Sequence, residues 1–123
     1  MKLYRKTKID ANQKAIVDHI EGHGGRVIVL GDPVDLLGHW KGFTGLIEAK
    51  VSGRSTYTRK QLRWIAESGP IPVAIVKNGD EAMRFLQTRR GLSQEQKNWI
   101  AIFLVGNPGD KWNGEKIEKV ING

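Results

Sequence analysis

The chain contains no cysteine. Disulfides, thiolate catalysis and any Cys-ligated zinc site are therefore excluded. It has no apolar run long enough to span a bilayer and no secretory-signal pattern. The expectation is a cytoplasmic protein without membrane contact, in a host cytoplasm if the source is viral. There is no nucleophile elbow, Walker A loop or GxGxxG motif. The glycines at 22, 24 and 25 follow a helical pattern rather than open one, so they make no phosphate cradle. His19, His23 and His39 share no metal-ligand spacing, and surface or capping roles are expected for them. No internal repeat, low-complexity segment or linker divides the 123 residues. One domain over 1–123 is expected, with a core over about 8–90 and a C-terminal extension over 91–123.

What is present is positive charge. Twenty Lys and Arg stand against thirteen Asp and Glu, giving a net charge of +7. Such an excess on a small chain favours a polyanionic partner, although a merely soluble basic surface carries the same composition. Lys2, Arg5, Lys6 and Lys8 crowd the first residues, and Arg89 and Arg90 sit near a later helix end. Arg54, Arg59, Lys60 and Arg63 follow the most informative segment of the chain.

That segment lies in an α-β-β-β-α-β-α order of elements. Asp10 reads as the N-cap of a first helix that stops at Gly22–Gly25. Arg26–Leu30, Val34–Gly38 and Gly45–Val51 read as strands, the last two joined as a hairpin across Gly38 and Gly42. A polar loop over 52–57 precedes a helix starting at Thr58 and stopped by Gly69-Pro70. Val73–Val76 is a short apolar run typical of a strand buried on both faces. Asn78 and Ser93 cap two further helices, and an amphipathic tail carries Ile117, Val120 and Ile121. The link from the third strand through the Thr58 helix to Val73 reads as a βαβ crossover with parallel strands.

On the third strand, Glu48 and Lys50 share one face while Ile47, Ala49 and Val51 point the other way. Asp35 lies on the strand before. Two carboxylates on neighbouring strands, with the backbone carbonyl of Ala49, can hold a hard divalent cation that keeps several waters. Lys50 can then orient a water or stabilise developing negative charge. Phosphodiester hydrolysis needs that set. The competing reading is a salt-bridged Glu and Lys on the solvent face of an edge strand. Trp40 and Phe43 flank the hairpin turn beside the site and are candidates for stacking on or wedging a nucleic-acid strand, with a buried turn anchor as the alternative; Lys41 in the turn is a further candidate for nucleic-acid contact. Trp64 and Trp99 read as core or interface residues.

Pro33-Val34-Asp35 followed by Glu48-Ala49-Lys50 resembles the PD-(D/E)XK nuclease signature. Asp10–Gln13, Val34–Gly38, Leu46–Lys50 and Thr58–Trp64 are most similar to the VRR-NUC and Holliday-junction-resolvase-like members. The resemblance covers residues 8–87. It implies an α/β, restriction-endonuclease-like αβββαβ core with a mixed sheet flanked by helices and a C-terminal helical extension. It also implies a Mg2+- or Mn2+-dependent endodeoxyribonuclease acting on branched or structured DNA, and a possible homodimer. Asp35 and Glu48 with the Ala49 carbonyl would hold the metal, Lys50 would serve the water or the transition state, and Gln61 would sit beside them. Arg54, Arg59, Lys60, Arg63, Lys41 and Trp40 are the expected DNA contacts. Val34 intrudes between the family's proline and aspartate, so Asp32 is the alternative ligand to Asp35. Asn12 and Gln13 stand where relatives often carry an acid. Gln61 has a second reading, because Thr58-x-x-Gln61 is also a capping box. A catalytically silent nucleic-acid-binding module of the same fold is the rival reading of the whole chain.

Overall fold

The computed structural model describes residues 11–32, 34–50 and 55–123. The expected cap Asp10 and the expected DNA contact Arg54 lie outside them. Among the described residues the chain is α/β, with a four-stranded mixed sheet, a two-stranded sheet and five helices.

Helix α1 spans Ala11–Gly22 and buries Ile16, Val17 and Ile20, one stripe at helical spacing. Strands β1 (Arg26–Val29), β2 (Leu36–Trp40) and β3 (Phe43–Ala49) form an antiparallel meander. Lys41 and Gly42 alone connect β2 to β3, both at positive φ (44° and 80°). A two-residue turn of this kind matches the natural twist of a hairpin. The sequence expectation placed β2 two residues early and put Gly38 in the turn. Gly38 is instead a strand residue opposite Gly45. Gly45 lets the chain pass the Phe85 ring, which a Cβ there would meet at 2.4 Å.

Short strand β4 (Thr56–Thr58) follows, then α2 (Arg59–Ala66) and β5 (Val73–Val76), which pairs parallel to β3 as expected. Helices α3 (Gly79–Thr88) and α4 (Gln94–Gly106) start at the anticipated caps Asn78 and Ser93. The tail forms β6 (Lys111–Asn113) and α5 (Gly114–Ile121). Strand β6 pairs antiparallel with β4, in the segment expected to be loop.

The sheet order is β1-β2-β3-β5. On one face, Val27, Leu36 and Ile47 pack with Ile16 and Ile20 of α1 and Phe85 and Leu86 of α3. On the other, Val73 packs with Leu62 and Ile65 of α2, Ile100 of α4, Ile117 of α5 and Tyr57 of β4, with Leu46 and Ile75 against them. Each fully buried Leu or Ile contributes about 1.5–3 kcal/mol. Among the described residues no helix is long and apolar enough to cross a membrane.

Candidate functional site

Asp35 lies in a bend just before β2, not within the strand as the sequence reading had it. Its carbonyl accepts the N–H groups of Leu30 and Gly31, which ties the bend to the end of β1. Its side chain and that of Glu48 then extend the hairpin ladder. The N–H of Asp35 donates to Glu48 Oε1 (3.1 Å), and the N–H of Ala49 donates to Asp35 Oδ2 (2.8 Å). The Glu48 carboxylate is thus bonded to the backbone of Asp35, and the Asp35 carboxylate to the backbone of Ala49, the residue after Glu48.

Glu48 has no solvent exposure. Its Oε2 accepts from Lys50 Nζ (2.7 Å) and Gln61 Nε2 (3.1 Å). Burial, and then the negative charge of Asp35, push its pKa up to about 7, against the pull of the Lys50 ion pair. A buried carboxylate beside another carboxylate is costly to ionise unless cations meet it. The arrangement therefore overturns the solvent-face reading of Glu48 and Lys50.

Lys50 also donates to the Thr56 carbonyl (2.8 Å) and lies 4.6 Å above the Tyr57 ring. Burial pushes the Tyr57 phenol above its ordinary pKa. Sequence reasoning missed both β4 residues. The β-prone Thr56-Tyr57-Thr58 run was the available signal. A pocket of about 570 Å³ adjoins Lys50 and Tyr57 and is lined also by Lys77, Gln96 and Glu118.

Gln61 unites its two readings. Its Oε1 accepts the Thr58 N–H (3.1 Å) while Thr58 Oγ1 accepts the Gln61 N–H (3.1 Å), completing the capping box. The amide nitrogen remains for Glu48. One side chain fixes the start of α2 and joins that helix to the carboxylate site.

The donor set fits a hard divalent cation. In a strand, one residue's N–H and C=O point to the same side. The Ala49 carbonyl therefore opens towards Asp35, as its N–H does. Two carboxylates and a carbonyl leave the remaining positions of an octahedron to water or phosphate, as magnesium prefers. No cluster of three or more His, Asp or Glu stands ready as a metal site among the described residues. Asp32, the alternative ligand, is 65% exposed and pairs with Lys60 at 3.4 Å, away from Glu48.

The other expected site residues are scattered. Lys60 and Arg63 project from α2 into solvent, Arg63 towards Glu67 (3.5 Å). Arg59, an expected phosphate contact, is engaged within the chain. Its guanidinium donates to the carbonyls of Leu104, Asn107 and Gly109 and stacks on Trp112, closing the end of α4. Trp40 and Lys41 are not beside the carboxylates, because the tight turn is at the opposite end of the hairpin from Asp35 and Glu48. Trp40 Nε1 donates to the His23 carbonyl (3.0 Å), the turn-anchor role. Helix α1 ends at that same turn, so Asn12 and Gln13 open it towards the carboxylate end. Trp64 packs against the core, as expected.

Comparison with protein-family models, curated proteins and solved structures gives no match.

Proposed function

We propose that this chain is a metal-dependent endonuclease of the restriction-endonuclease-like, PD-(D/E)XK type, hydrolysing phosphodiester bonds of DNA. One observation carries the reading. Asp35, Glu48, Lys50 and Gln61, which are spread over 27 residues, form one hydrogen-bonded unit around a fully buried carboxylate. The order α1-β1-β2-β3-β4-α2-β5, which is α-β-β-β-α-β within the four-stranded sheet once the short β4 of the second sheet is set aside, and a net charge of +7 agree with it.

Asp35, Glu48 and the Ala49 carbonyl would hold Mg2+ or Mn2+. When bound, the ion supplies Lewis-acid polarisation of the phosphate and a more acidic water. Lys50, anchored by Thr56, holds a positive charge where negative charge develops on the phosphate. Gln61 keeps Glu48 oriented through its amide. Lys60 and Arg63 would meet phosphates without reading sequence. The resemblance to resolvase-like nucleases makes branched or structured DNA the substrate to try first, with a homodimer as the cutting form.

A specific observation favours a second reading. Lys50 and Gln61 already satisfy Glu48 Oε2 without a metal. A silent nucleic-acid-binding module would keep that closed network. Incubation with synthetic four-way, flap and linear DNA, with magnesium, manganese or chelator, separates the two. The nuclease cuts at least one substrate only with metal, and Glu48→Ala abolishes cutting while circular dichroism stays native. Cleavage at an undiminished rate by Glu48→Ala defeats the nuclease reading. Metal-independent DNA binding without any cutting supports the silent module.

A further inference from the structure

We infer that the pocket beside Lys50 receives one unpaired nucleobase of the strand to be cut, and prefers a base that carries an amino group. This deepens the nuclease reading and rests on it, since it assigns a substrate contact next to the carboxylates.

The pocket, of about 570 Å³, has the size of ordinary small-ligand sites. Its place in the fold points to a ligand. Strands β3 and β5 run parallel, and the Lys50 N–H donates to the Val76 carbonyl (2.9 Å), which keeps their carboxyl ends level. The crevice beyond such ends is where open α/β sheets bind ligands. Lys50 and Lys77, which directly follow the two strands, both line the pocket. Ile75 lines it too and stands opposite Glu48 in the strand register, so pocket and carboxylates are neighbours.

The lining has an apolar part and a polar part. Ile75, Leu92 and Ile121 offer apolar surface to a flat ring. Gln96 spends its Oε1 on the Ser93 N–H (2.9 Å), while its Nε2 and the Asn122 amide meet no partner among the described residues. Glu81 accepts the Lys77 N–H (2.8 Å) and Glu118 accepts from Lys77 Nζ (3.2 Å), each through one oxygen. Glu115 is the third acid of the lining.

Charge decides what can enter. Lys50 is committed to Glu48 and Lys77 to Glu118, which leaves Glu81 and Glu115 to make the pocket negative on a chain of net charge +7. A phosphate is repelled there and stays on the Glu48 side of Lys50. A neutral base is not repelled. Carboxylates accept from exocyclic amino groups such as cytosine N4, whereas thymine would turn carbonyl oxygens towards the acids. A base that is stacked and paired cannot enter, and extrusion costs least where the base has no partner. The pocket therefore selects bulges, flaps and junction strands.

The experiment measures affinity by fluorescence anisotropy in chelator. The probes are one duplex with a single bulged cytosine, a bulged thymine, an abasic bulge or no bulge. Cytosine should bind about tenfold more tightly than thymine or the abasic bulge. Glu115→Gln/Glu118→Gln should erase the difference between cytosine and thymine. Asn122→Trp, a bulky side chain at an exposed position of the lining, should bring the cytosine bulge to the abasic value and leave the plain duplex unchanged. Glu21→Gln/Glu67→Gln, acids outside the pocket, should keep the full difference, and melting curves should show every variant folded. Equal affinity of the wild type for all three bulges overturns the inference, as does a cytosine preference that survives both pocket variants. Cleavage with manganese is scored separately. Cutting without any base preference in binding keeps the nuclease reading and removes the base pocket. Base-dependent binding with no cutting of any substrate does the reverse.

Discussion

At the residue scale, Glu48 and Gln61 are each asked to do two things. Glu48 is buried, and its folded pKa is near 7 against an ordinary value of 4.5. A raised carboxylate pKa means the folded state holds the proton more tightly. Its contribution to stability is therefore complete below pH 4.5 and is lost as pH rises through 7. In the metal-free protein, Glu48→Gln should remove this part of the slope. Denaturant titrations across that window should show the two proteins' stability difference changing with pH. A difference that stays constant sinks the assignment. Gln61 separates into its halves by substitution. Gln61→Ala loses both partners and should cost about 1 kcal/mol through the cap alone. Gln61→Glu keeps an acceptor for the Thr58 N–H but loses the donor that faces Glu48. It should keep most of the helix start while cutting at a small fraction of the wild-type rate. Full activity in Gln61→Glu would leave the residue as a cap only.

At the scale of elements, the sequence was legible wherever a signal is local. Period-two alternation put Glu48 and Lys50 on one face, and capping residues gave the starts of α2, α3 and α4. What depended on distant partners was not legible. Strand β4 has three residues, and its partner β6 begins at Lys111, more than fifty residues on. Arg59 looked like a phosphate contact because the carbonyls it binds arrive only with residues 104–109. Trp40 was expected by the site because the short β2–β3 link was placed to start at Gly38. The two-residue turn instead carries β2 two residues further, to Trp40 itself. Arg59 also makes a prediction. Arg59→Ala strands several carbonyls and should destabilise the protein by about 1–3 kcal/mol. Arg59→Lys, lacking the planar fork, should recover only part of that. Because Arg59 opens α2 and holds carbonyls of residues 104–109, limited proteolysis should then release the segment after Gly106 first. Resistance equal to wild type would show that β6 and α5 are held without it.

At the scale of the molecule, one sheet serves two cores, and the site sits where they meet. The α1–α3 side packs Leu36 and Ile47, while the α2–α4–α5 side packs Tyr57 and Leu62 around the other face. Glu48 is enclosed because the second side closes over the end of β3 and β5. The C-terminal extension, expected as an addition to the core, is therefore part of the wall of the site: α5 contributes Ile117 to the same cluster as Tyr57. A cation held there binds only the folded chain. At a hundred times its dissociation constant, magnesium or manganese should add about 2.7 kcal/mol of stability. Differential scanning calorimetry with and without metal reads this directly, and Asp35→Asn should abolish the increment. An equal rise in Asp35→Asn would place the ion elsewhere.

The bonds from the Asp35 N–H to Glu48 and from the Ala49 N–H to Asp35 have a mechanical consequence. They stand where the next rungs between the two strands would be, so the gap between the acids is gauged by interstrand spacing rather than by a loop. Sheets are stiff in that direction and come apart all at once. Heating should accordingly leave the affinity for the ion nearly constant and then end it in the same transition that melts the strands, with no intermediate that is folded but unable to bind.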